Sequence, residues 1–82
     1  MTYNGWTNYE TWRVNLEMFD GTEARPGIDA YHLGQEFKEY AEEVIEQSSA
    51  PGFARDYALA FLSDVNWREI AGHYIEEEEE AA

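Results

Sequence analysis

Asp29, Glu36, Glu39, Glu43 and Glu46 lie three, four or seven residues apart. In an α-helix that spacing projects all five carboxylates to one side, with Glu42 at the border. At a rise of about 1.5 Å per residue, Glu36 to Glu46 spreads charge over roughly 15 Å of axis. Phosphates along one DNA strand recur about every 3.4 Å, so a rigid row of carboxylates can offer a basic groove a comparable string of negative charge. Between Asp29 and Glu46 only Lys38 relieves the repulsion among six acids, whereas a face chosen for stability alone mixes signs at i and i+4. The bland alternative for this row is a solvated outer face.

Other reactive residues form weaker patterns. His32 has helical spacing to Asp29 and Glu36, as His73 has to Glu69, and both histidines read as ordinary surface pairs. No nucleophile elbow or glycine-rich phosphate loop is present. No catalytic residue, metal ligand or cofactor is therefore assigned, and a non-enzymatic protein is expected. Trp6, Tyr9, Trp12, Phe37, Phe61, Trp67 and Tyr74 suggest a core more than a stacking platform for nucleic acid. Arg13, Arg25, Arg55 and Arg68 are dispersed and read as internal partners for the acids.

The elements that position these groups follow from periodicity and punctuation. Asn4-Gly5 is a turn that delivers Trp6 to a helix start. Thr7 and Glu10 have capping-box spacing, so the first helix is predicted over 8–19, with Tyr9, Trp12, Leu16 and Phe19 on one face. Asp20-Gly21 stops it. The stretch 21–27 is the longest connection, and the second helix, 29–47, is the longest, its apolar side running from Ala30 to Ile45. Ser48 to Gly52 forms a turn. The third helix, 53–63, is apolar around most of its circumference and is expected to be the most buried. Asn66 and Glu69 repeat the capping spacing, Val65 and Ile70 form a hydrophobic staple, and a fourth helix is predicted over 67–75. Trp12 is expected to meet Trp67. Only Met1–Asn4 offers a strand. The fold class is therefore all-α: a compact bundle of four helices in a single domain, with an acidic tail over 76–82.

Composition bounds the function further. Eighty-two residues bury only about 60 to 65% of their unfolded surface, and an aromatic content of 16% supplies large apolar payloads for that small core. With no cysteine, neither disulfides nor a thiolate metal site is available. No segment reads as a membrane span or signal peptide, so a cytoplasmic protein is expected. A formal charge of -13 repels nucleic acid and anionic lipid. The expected partner is a basic protein, with no direct nucleic-acid or membrane binding.

The block Gly5-Trp6-Thr7-Asn8-Tyr9-Glu10-Thr11-Trp12, with Val14, Asn15 and Leu16, resembles a family of small phage and mobile-element proteins. Members open with glycine, an aromatic residue and Thr-Asn-Tyr-Glu-Thr-Trp. The stretch Leu62 to Ala71 looks like the second block of that family. The resemblance implies a setting and no activity. In that setting, small acidic proteins are similar in general character to antirestriction proteins that imitate duplex DNA and to anti-CRISPR proteins that occupy nucleic-acid channels. The expectation is an inhibitor of a host defence system that engages a basic nucleic-acid-binding surface through Asp29, Glu36, Glu39, Glu42, Glu43 and Glu46. The alternative is a non-catalytic adaptor or structural domain that binds a phage or host protein through an apolar patch.

Overall fold

The computed structural model describes residues 2–75, so the glutamate tail lies outside the described residues. Four helices follow in order: α1 (Tyr9–Val14, continued by a π-helical turn, Asn15–Phe19), α2 (Ala30–Ser48), α3 (Phe53–Leu62) and α4 (Trp67–Gly72). The all-α reading holds, and no strand forms among the described residues. In place of a strand near the N-terminus, Tyr3 and Trp6 exchange both backbone hydrogen bonds, at 2.7 and 2.8 Å, around Asn4-Gly5. Both turn residues have positive φ, the requirement of a tight primed hairpin turn. The turn sets Trp6 face to face with His73 at 4.4 Å.

The capping at the start of α1 differs from the Thr7–Glu10 box. Asn8 is the cap, its Oδ1 accepting from the Thr11 amide at 2.8 Å. The Thr7 amide turns instead to Glu69 Oε1 at 3.0 Å, sixty-two residues away. The reason is tertiary. Asn66 caps α4 through the Glu69 amide at 3.1 Å, and the two capped ends abut. Asn8 Nδ2 donates to the Asp64 carbonyl at 2.8 Å, and the Asn66 amide donates to Thr11 Oγ1 at 2.8 Å. Thr11 Oγ1 passes its own hydrogen to Asn8 Oδ1 at 2.6 Å. Thr11 is completely buried, the one buried polar residue among the described residues beside the apolar core.

That core joins Val14 and Phe19 of α1 to Leu33, Phe37 and Ala41 of α2 and to Ile70 and Ala71 of α4, with Leu62 and Val65 beside them. Val65 and Ile70, the expected staple, are both in it. Phe19 stacks on Phe37 at 4.2 Å. Trp12 takes Tyr3 and Tyr9 as ring partners and Trp67 takes Phe19, so the expected Trp12–Trp67 meeting is replaced by two separate clusters. The π-helical turn keeps Phe19 directed inward, and Asn15 Oδ1 there accepts from the Tyr74 hydroxyl at 2.7 Å. Burial raises the Tyr74 phenol above its usual range against that hydrogen bond.

The most extensive helix packing is α2 on α4. It depends on Gly34, where a Cβ would stand 3.1 Å from the Trp67 carbonyl carbon and oxygen. α4 is shorter than the predicted 67–75, ending at Gly72 in turns that close at Ile75. There the Arg25 amide donates to the Tyr74 carbonyl at 2.6 Å, tying the 20–29 loop to the turns that follow α4.

Two outcomes follow. Thr11→Val leaves the Asn66 amide and Asn8 Oδ1 short of a partner and is expected to cost about 2 kcal/mol in urea unfolding, with Thr11→Ser closer to the parent; equal stability of the valine variant contradicts the account. Gly34→Ala gains helix propensity yet should lose about 1 to 3 kcal/mol by pushing on the α4 backbone; a stabilised variant would show that α4 yields freely.

Candidate functional site

The five predicted carboxylates of the 29–46 row are all on exposed residues, and Glu42 is half-buried at the border. The sidedness expected from spacing is therefore present, but the row is unequal along its length. Asp29 is the N-cap of α2, its Oδ1 accepting from the His32 amide at 2.7 Å, while His32 Nδ1 lies 2.9 Å from both of its oxygens. The amide bond first, and the imidazole second, hold the Asp29 carboxyl below its usual range. Glu36 Oε1 accepts from Arg25 Nη1 at 3.2 Å. The 20–29 loop thus delivers a cation to the first half of the row.

The second half has no such relief. Glu43 accepts only from the neutral Gln47 amide at 3.2 Å, and Glu39 and Glu46 form no ion pair among the described residues. The last turn of α2 contains no basic residue, although that end of the helix dipole is negative and disfavours acids. Arg55 reaches over from α3, but its Nη2 donates to the Glu46 and Ser49 carbonyls, the second at 2.5 Å. It satisfies carbonyls left unbonded by the helix end and leaves the glutamate side chains free. Of the arginines expected to serve the acids, Arg13 also does so, with Glu17 at 2.6 Å.

The histidines stay apart in role. His32 meets Asp29 as its spacing suggested. His73 stacks on Trp6, and its expected partner Glu69 is spent on the Thr7 amide. No group of three or more metal-ligating side chains occurs among the described residues.

A second surface was missed by sequence reasoning. α3, expected to be the most buried helix, has one buried side chain, Leu62. Phe53 is 79% exposed and Tyr57 70% exposed, their rings stacked at 5.4 Å. The cause is the arrangement of the layers: α2 is occupied by α4 along its first half, so α3 lies against its second half, touches α1 through Phe61, and has no further helix among the described residues over its outer side. Between α3 and Ile45 of α2 lies an open apolar depression of about 460 Å³, floored by Ala58, Phe61 and Leu62. An adjoining depression shares Tyr57 and Phe61 and adds Glu10 and Asp64 at its edge. The available signal was the apolar circumference itself, because three other helices cannot surround a fourth on all sides.

No family model, curated protein or solved structure matches the chain. The stretches 5–12 and 62–71 meet in space through the Asn8–Thr11–Asn66 hydrogen bonds. No helix among the described residues is long and apolar enough to cross a membrane.

The Asp29 cap has a pH signature. Because its folded pKa is lowered from the ordinary 3.8, its ionised form contributes stability above about pH 4 that is lost as pH falls through the folded pKa. The stability deficit of Asp29→Ala should be largest at neutral pH and shrink on acidification, read by thermal unfolding from pH 7 to 2. A deficit constant over that range contradicts the charged cap.

Proposed function

We propose that this chain is a non-catalytic, phage-type inhibitor of a host defence system, of the anti-restriction or anti-CRISPR kind. It presents α2 as an acidic imitation of nucleic acid to a basic nucleic-acid-binding surface in the host cytoplasm. The observation that supports this most is the cluster Glu39, Glu43 and Glu46. These carboxylates are exposed, unpaired with any cation among the described residues, and placed toward the helix end where the dipole opposes them. Folding gains nothing from that placement. A basic groove would gain from it, through fast, salt-sensitive association and displacement of its nucleic acid. Asp29 and Glu36 extend the row but are already engaged by His32 and Arg25, so they contribute less, and Glu42 borders it.

A second reading, an adaptor that binds a protein partner through an apolar patch, is favoured by the exposed Phe53–Tyr57 pair and its groove.

Plating efficiency of a phage sensitive to restriction or CRISPR immunity, on a host expressing the chain, separates the two. The variant E36Q/E39Q/E43Q/E46Q should fold at least as stably as the parent, because it removes self-repulsion. It should lower protection at least tenfold or so, since buried-interface charge pairs carry several kcal/mol. F53A/Y57A should keep it. Full protection by the folded glutamine variant would sink the acidic-mimic reading, and loss of protection in F53A/Y57A alone would favour the adaptor.

A further inference from the structure

The α3 groove points to its own occupant. It is open, and its exposed ring pair stands beside a floor of small and branched apolar side chains. From Phe53 to Phe61 it runs about 12 Å along α3, the span of anchors at i, i+4 and i+7 on an opposing helix. A channel between two helices receives a third by ridge-into-groove packing, and no strand edge is present among the described residues to recruit an extended segment instead.

The charged residues that edge the adjoining depression, Glu10 and Asp64, are both acidic. On α2, Glu42 precedes Ile45 by one helical turn, and Lys38, two turns before Ile45, is the only lysine of that helix. The only cation on α3, Arg55, is drawn off to the α2 carbonyls. We propose that the groove receives a cationic amphipathic helix of a partner protein. Its apolar stripe lies on Phe53, Tyr57 and Phe61, and its lysines or arginines face Glu10, Glu42 and Asp64.

A second copy of this chain fits less well, because a two-fold pairing would bring a duplicate acidic rim to the same interface. The chain's own tail, Glu76 to Glu80, carries the wrong charge for the same reason. An anionic lipid surface is repelled likewise.

This inference rests on the adaptor reading of the apolar surface and gives it a partner chemistry, so its test keeps the two acidic regions separate. The probe is an 18-residue helical peptide of leucine and lysine, with leucines at i, i+3, i+4 and i+7, titrated calorimetrically into the full chain. Binding on the order of 10 μM is expected, weakening at least tenfold or so in F53A/Y57A. Binding should also weaken in E10Q/E42Q/D64N, and that variant should respond less to salt between about 0.05 and 0.5 M. Circular dichroism verifies that both variants fold. E36Q/E39Q/E43Q/E46Q should retain the peptide.

Equal binding by a glutamate-for-lysine version of the peptide overturns the charge assignment and with it the proposal. A concentration-dependent dimer in sedimentation that F53A/Y57A abolishes assigns the groove to a second copy and overturns it too. If the α2 glutamine variant loses the peptide while F53A/Y57A keeps it, the cationic helix sits on the acidic row. In that case the groove proposal fails and the mimic reading survives.

Discussion

The Thr11 hydroxyl is the interaction on which the rest of this structure depends. It donates to the cap of its own helix, Asn8, and accepts from the backbone of the opposite cap, Asn66. The α-helical parts of α1 and α4 are six residues each, and α-helices of that length do not persist alone in water. Each is held because its N-terminus is satisfied partly by the other: Asn8 reaches the Asp64 carbonyl, and Glu69 reaches the Thr7 amide. With both ends fixed, Val14 and Phe19 on one side and Ile70 and Ala71 on the other converge on Leu33 and Phe37. α2 is then gripped along its first half, its second half stays free on the outer side, and α3 rests on α2 and touches α1 through the Tyr9–Phe61 ring pair.

What could be read from the sequence follows the range of each interaction. Helix existence and sidedness come from period alone, so the four helices and the exposed side of the acidic row were legible. Gly21 acted locally as a stop and was legible too, whereas Asp29, read as the first residue of the second helix, is instead its N-cap. The Thr7–Glu10 box was not realised because capping spacing states which groups can meet, while the choice between Glu10 and Glu69 is made by tertiary packing. Asn8, one residue later, was an equally good cap. The neutralisation of Glu36 by Arg25 comes from a loop whose path no spacing specifies. The misjudged α3 is the instructive failure: its composition described an all-round apolar helix, but burial depends on how many neighbours the chain has left to supply.

Charge and apolar exposure meet at the second half of α2, where Glu42 precedes Ile45 by one helical turn and Ile45 lines the groove. A large exposed apolar patch ordinarily invites self-association. Here each copy carries a net charge of -13, and the Debye length at physiological salt, about 8 Å, is comparable with the roughly 12 Å length of the groove. Acids at the rim therefore still act on anything seated in it. Two copies approaching face to face gain apolar contact but bring like charges within that screening distance, whereas a cationic helix gains both terms. On the proposed reading, the acidity offered to a basic surface on one side of α2 would act on the other as a selectivity filter for the groove. Removing it would leave the same apolar surface with no means of choosing between a partner and another copy of itself.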